Sequence, residues 1–185
     1  MERTMQTFIA LLRGINVSGQ KRILMQDLRD LMGELNLESI TTYIQSGNIV
    51  FRSSFENPRE IEQIIEEKIL EKYGFEVPVL VKFPEELNHI HNHNPFIAKY
   101  REEENQFLTV FLYDKPSPDL VAELNKLDYP GEQFKVEGDC IYLYNTIGFG
   151  KAKLKINLIE KKLKVKATAR NWKTVSSLHE LAIAL

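Results

Sequence analysis

The 185-residue sequence predicts an α+β fold in which one helix-backed antiparallel sheet is followed by a second of the same plan. Three observations lead there. Strand-like and helix-like segments over residues 7–81 follow an order that restarts at residue 107. The apolar residues, 43% of the chain, fall into short dense runs or recur every three to four positions, the two periods of strands and helices. The length also suits two small cores better than one large one.

Taken in order, residues 7–12 form a nearly continuous apolar run, as expected of a strand buried on both faces. Beyond a glycine-containing loop, Met25, Leu28, Leu31, Met32 and Leu35 recur at helical spacing. Residues 40–44 and 48–51 are rich in β-branched and aromatic side chains and flank Ser46-Gly47, so they read as a hairpin. Asn57-Pro58 opens the next helix, with Asn57 as cap and Glu60 three residues on. Ile61, Ile65 and Ile69 line its buried face and Gly74 ends it. Residues 77–81 read as a strand that Pro78 confines to a sheet edge. The order is βαββαβ, the split βαβ plan of a ferredoxin-like subdomain.

The second round begins with a strand at 107–112 and a helix opened by Ser117-Pro118. Strands at 133–137 and 140–144 flank Gly138-Asp139. A helix at 151–162 and a strand at 165–169 follow, and Asn171 caps a last helix carrying Trp172, Val175, Leu178 and Leu181. The predicted organisation is a first ferredoxin-like subdomain at 1–83, a linker with a short helix at 84–105, and a second subdomain with an appended helix at 106–185. The linker holds Pro84, Pro95 and the acidic run 102–104.

Composition narrows the class. The apolar share is ordinary and Cys140 is the single cysteine, which excludes disordered, fibrous and disulfide-built proteins. No apolar run reaches the roughly 20 residues of a membrane helix, and the opening Met-Glu-Arg-Thr-Met-Gln is no signal segment. A soluble protein of the reducing cytoplasm, without a membrane partner, is the expectation. The net charge of -2 conceals an asymmetry: residues 151–173 hold nine bases against Glu160 alone, leaving 15 bases and 25 acids elsewhere. Such a block fits an anionic partner, and fits equally a solvated helix face followed by a lysine-guarded edge strand.

Topology brings distant segments together. In a sheet of order 4-1-3-2, the end of strand 1 meets the hairpin joining strands 2 and 3. That sets Arg13, Gly14, Asn16, Gly19, Lys21 and Arg22 beside Gln45, Ser46 and Asn48 at one rim, near a helix start. In the second unit the ends of strands 3 and 4 set Asn145, Gly148, Lys151 and Lys153 beside Arg170, Asn171, Trp172 and Lys173. Turn chemistry explains the same glycines and asparagines without a ligand.

Other signals are discounted. Gly14-x4-Gly19-Gln20-Lys21 has one residue too many for a phosphate-binding P-loop and no following Ser or Thr. His89 and His93 stand one helical turn apart, but no Cys or acidic ligand sits at a convincing spacing, so no metal is expected. Cys140 reads as buried packing. Phe107, Thr109, Phe111 and Tyr113 share one strand face, as do Tyr142 and Tyr144; if exposed, these would make a base-stacking or protein-docking surface, and packing between the two units competes for the same face.

At Leu11-Leu12-Arg13-Gly14-Ile15-Asn16-Val17, Tyr43-Ile44-Gln45-Ser46-Gly47-Asn48-Ile49-Val50-Phe51, Asn94-Pro95-Phe96 and Thr168-Ala169-Arg170-Asn171-Trp172-Lys173-Thr174, the chain resembles the bacterial family called domain of unknown function 1697. The resemblance covers nearly the whole chain. It departs at Ser18-Gly19, where the family more often carries Gly-Gly. It implies two ferredoxin-like subdomains and no particular activity, substrate or catalytic residue.

The leading functional expectation is a binding protein for an anionic, phosphate-bearing ligand, a nucleotide or nucleic acid. Arg13, Lys21 and Arg22 would neutralise charge and the 14–19 backbone would donate hydrogen bonds. Gln45, Ser46 and Asn48 would orient the ligand, with Arg170, Asn171 and Trp172 as a second contact. A small-molecule enzyme acting between the units is the alternative, without an evident general base among the four histidines. An interaction module using the sheet face is the third. No cofactor is indicated.

Overall fold

The computed structural model describes residues 4–185, apart from the side chains of residues 101–103. The first three residues of the opening segment, and the side chains of Glu102 and Glu103, thus lie outside the description. Two units divide the chain: one runs to His89 and takes in Ser176–Leu185, the other is Ile90–Val175. Among the described residues the chain is α+β, with six α-helices and two four-stranded antiparallel sheets. No helix in them is long and apolar enough to cross a membrane.

The first sheet has the order β2-β3-β1-β4. Its elements are β1 (Gln6–Leu12), β2 (Glu38–Tyr43), β3 (Asn48–Ser53) and β4 (Val79–Lys82). β1 is central because both of its faces are apolar. Phe8, Ala10 and Leu12 meet the helices, while Ile9 and Leu11 on the other face are equally buried. Backing the sheet are α1 (Met25–Glu34), through Leu28, Leu31 and Met32, and α2 (Pro58–Tyr73), through Ile61, Ile65 and Ile69. Each such side chain contributes about 1.5–3 kcal/mol on burial. Asn57 caps α2 by accepting from the Arg59 N–H at 3.0 Å, and Gly74 closes it in the left-handed region at φ 73°. α3 (Pro84–Asn92) follows β4.

The second sheet repeats the arrangement in the order β6-β7-β5-β8. Its elements are β5 (Phe107–Leu112), α4 (Pro118–Leu124), β6 (Glu132–Glu137), β7 (Cys140–Asn145), α5 (Ile156–Leu163) and β8 (Ala167–Asn171). Leu124, Ile159 and Leu163 pack on Val110, Leu112, Ile141, Leu143 and Ala167. α6 (Trp172–Ala184) ends the chain, with Asn171 Oδ1 accepting from the Thr174 N–H at 2.8 Å.

On the edge strands β4 and β8, helix carboxylates hold N–H groups. On α2, Glu66 accepts from Val79 at 2.8 Å and Glu62, one turn earlier, from Val81 at 2.9 Å. On α5, Glu160 accepts from Ala167 at 2.8 Å. Burial raises the Glu62 carboxyl above its ordinary value, against the lowering pull of the Val81 N–H and Arg59.

Several sequence expectations need correction. The helix expected at 151–162 starts only at Ile156, because the N–H groups of Lys153 and Leu154 are held by Glu132 instead of entering a helix. The strand expected at 40–44 stops at Tyr43, since Ile44 turns to φ 50°. Pro78 lies just before β4, where its carbonyl accepts from the Arg13 N–H at 2.9 Å. The last strand runs two residues later than expected and includes Arg170 and Asn171. The aromatic sheet face is closed: Phe107, Thr109, Phe111, Tyr142 and Tyr144 are all buried. Within the second unit, Tyr100 stacks on Tyr144 with centroids 4.1 Å apart, and the Tyr142 hydroxyl donates to the Ile90 carbonyl at 3.1 Å. That face therefore offers neither a base-stacking platform nor a docking surface.

Candidate functional site

The first rim assembles as one structure. Leu11 pairs with Asn48 across β1 and β3, and the Leu12 N–H donates to the Gly47 carbonyl at 2.8 Å. The loop after β1 is therefore anchored against the β2–β3 hairpin. Asn16 then knits the two together. Its Nδ2 donates to the Gln45 carbonyl at 2.8 Å and the Ile23 carbonyl at 2.9 Å, while its Oδ1 accepts from the Ile23 N–H at 3.0 Å. Expected as a ligand contact, Asn16 is instead the fastener of the loop.

Asn48 is likewise turned inward. It is buried, and its Nδ2 donates to the Tyr43 carbonyl at 3.0 Å and the Ser46 hydroxyl at 2.8 Å. Gly47 allows the approach: at φ 76°, a Cβ there would come within 2.6 Å of Leu12 Cβ and 2.8 Å of Ile15 Cδ1. Gly14 and Gly19 also have positive φ but face open space.

What faces outward is mixed in character. Lys21 and Arg22 are exposed, and Lys21 Nζ rests on the Glu76 carbonyl at 2.6 Å. Arg13 is half-buried and Gln45 exposed. The same segments carry Val17, Leu24 and Ile44, which are 59%, 60% and 50% exposed. Each adjoins in sequence a residue hydrogen-bonded to Asn16, or Asn16 itself. Asn16, Ser18, Lys21 and Ile44 all hold left-handed backbone conformations, and Ile44 does so despite its branched Cβ. Strain of this kind, about 1–2 kcal/mol per residue, is concentrated at this rim.

The second rim also converges but is consumed internally. The Glu132 carboxylate at the start of β6 accepts from the Lys153 N–H at 2.8 Å and the Leu154 N–H at 3.0 Å, filling the cradle an outside anion would use. Arg170 is buried and donates to the Thr168 hydroxyl at 2.9 Å and the Ala169 carbonyl at 2.8 Å. Burial draws its guanidinium down to about 10, so it stays cationic at neutral pH. Trp172 is buried with its ring stacked on His91, centroids 5.2 Å apart and planes 6° from parallel. Asn171 spends its side-chain oxygen on capping α6, and Asn145 accepts from the Ile147 N–H at 2.9 Å. Lys151 remains exposed.

Sequence reasoning missed Glu132 as the internal anion, for one acid at a strand start carries no spacing signal. It also missed the exposed Val17, Leu24 and Ile44, although an apolar residue inside a turn-rich, basic stretch was the available clue. Among the described residues no group of three His, Cys, Asp or Glu side chains is placed to hold a metal ion. The buried carboxyl with a raised value, Glu62, is engaged by the Val81 N–H and Arg59, which gives a general-base role no footing.

Comparison with known proteins adds the following. No curated protein matches the chain. Among solved structures, the conserved bacterial protein SP0830 from Streptococcus pneumoniae is similar, with 22% identity, a TM-score of 0.77, and coverage of 97% of this chain and 99% of that one. At that identity the likeness speaks to the fold. The model for a family described as proteins of unknown function, DUF1697, matches residues 5–142, and the chain belongs to that family.

Proposed function

We propose that the protein binds a phosphate-bearing ligand of the nucleotide class at the first rim, and that its two units are tandem ferredoxin-like subdomains. The observation that carries the reading is the Asn16 fastening. Two hydrogen bonds with Ile23 close the loop on itself and one to Gln45 ties it to the hairpin, so that the segments carrying the exposed bases (Lys21, Arg22) and the exposed apolar side chains (Val17, Leu24, Ile44) are held to one another. A nucleotide has the matching halves, an anionic phosphate for the bases and a flat, weakly polar base for the apolar group. The left-handed backbone at Ile44 supports the reading, since strain persists where the surroundings over-determine it. A reducing, cytoplasmic setting is part of the proposal, with the single thiol Cys140 in keeping with it.

Calorimetric titration with a panel of mono- and dinucleotides at low salt tests it. Binding is expected, and Arg22→Gln is expected to weaken it about tenfold, the worth of one charge-assisted hydrogen bond. Ile44→Asn keeps a residue tolerant of the left-handed region while removing the apolar contact, and should also weaken it. Absence of nucleotide binding at low salt overturns the proposal.

A further inference from the structure

On the second unit, lysines flank α5 at both ends. Lys151, Lys153 and Lys155 lie before it, and Lys161, Lys162, Lys164 and Lys166 lie in or beyond its last turn; all are exposed. The helix turns Ile159 and Leu163 into the core, which leaves its basic side chains outside. The one acid in the stretch, Glu160, is committed to the Ala167 N–H.

Elsewhere in the chain, several lysines are paired with acids: Lys68, Lys82, Lys126 and Lys135 each form an ion pair. Among the described residues the seven flanking α5 form none, and Lys153 rests over the Tyr129 ring at 5.7 Å. Seven cations within residues 151–166 repel one another, a cost only partly met by the Glu123 carboxylate near Lys162 and one that a polyanion removes.

We infer that this lysine belt docks the phosphate backbone of duplex nucleic acid, without reading its bases. Lysine is a point charge suited to phosphate contact. The belt spans residues 151–166 and contains no exposed large apolar side chain, so it lacks the anchor that an acidic protein partner or a membrane surface needs. Its stacking candidate, Trp172, is already covered by His91, which removes base recognition by an indole. Residues 151–166 contain no aromatic side chain, so the base-stacking platform of single-strand binders is absent and the duplex backbone is the ligand the charges fit. The acidic remainder of the chain turns the belt toward the duplex during encounter. The inference does not rest on the nucleotide reading.

The test is a fluorescence-anisotropy titration of the full chain with a labelled random-sequence duplex across a salt series. Duplex binding should weaken with salt, with a log–log slope of about -4 to -6 if most of the belt engages. Two triple variants, Lys151→Gln/Lys153→Gln/Lys155→Gln and Lys161→Gln/Lys162→Gln/Lys164→Gln, should each shallow the slope by about 2–3 at unchanged melting temperature. Arg22→Gln should leave it unaltered, which separates this surface from the first rim. Three results overturn the inference: no duplex binding at low salt, binding indifferent to both triple variants, or inorganic polyphosphate or single strands binding as tightly as duplex.

Discussion

Replacing Gly47 by alanine probes the junction on which the first rim depends. Two costs add. At φ 76° any L-residue pays about 1–2 kcal/mol for the left-handed conformation. The new methyl would also sit 2.6 Å from Leu12 Cβ and 2.8 Å from Ile15 Cδ1. Leu12 Cβ is fixed to a central strand and cannot swing aside, so relief requires the backbone to move, an overpacking cost of about 1–3 kcal/mol. The total is about 2–5 kcal/mol. Gly14→Ala supplies the control, because its φ is 72° and nothing lies within 4 Å of the added carbon. It should cost only the first share, about 1–2 kcal/mol. For a chain of this size each kcal/mol lowers the melting temperature by about 2–4 °C, well within the resolution of scanning calorimetry. Equal losses in the two variants would show that the close approach at Gly47 costs nothing, and the account of the junction would be wrong.

Three further expectations follow from contacts already described. Asn16→Ala should cost more than Asn16→Gly by about 1 kcal/mol in urea unfolding, since both lose the three side-chain hydrogen bonds and only alanine resists φ 54°. Glu132→Ala should destabilise by about 1–3 kcal/mol and make the melting temperature rise with sulfate more than the parent's does at matched ionic strength, because two N–H groups become free for an external anion. For Glu62 the sign is set by its raised folded-state value. Its favourable contribution is complete below the unfolded value and is lost as pH rises through the folded one, so the stability advantage over Glu62→Gln should shrink as pH rises through and beyond the ordinary carboxylate range. A constant gap in urea midpoints across that range contradicts the assignment.

The elements that sequence disclosed were those governed by local rules. The dense run of β1, the Ile61–Ile65–Ile69 stripe, the Asn57-Pro58 start and the Gly74 stop each follow from a residue's own conformational or burial preference. Boundaries failed where a distant residue intervened. Glu132, about twenty positions from Lys153 and Leu154, delays α5 by holding their N–H groups, and no periodicity reports such a bond. The candidate rims show the same division. Strand pairing could be anticipated, so Arg13 and Asn48 come to one end of a sheet. Whether an asparagine points outward or fastens its own loop depends on atoms contributed by segments far apart in sequence, as with Asn16 and Gln45.

The carboxylates of Glu62, Glu66 and Glu160 bear on how copies of this chain behave at high concentration. A free strand flank is a template onto which another molecule can extend a ladder, the first step toward fibrous deposits. Along β4 and at the start of β8 the template is already filled, by acids anchored on neighbouring helices. An incoming strand would have to evict charged groups from bonds they already make, so end-on polymerisation through these two flanks is disfavoured by the fold itself.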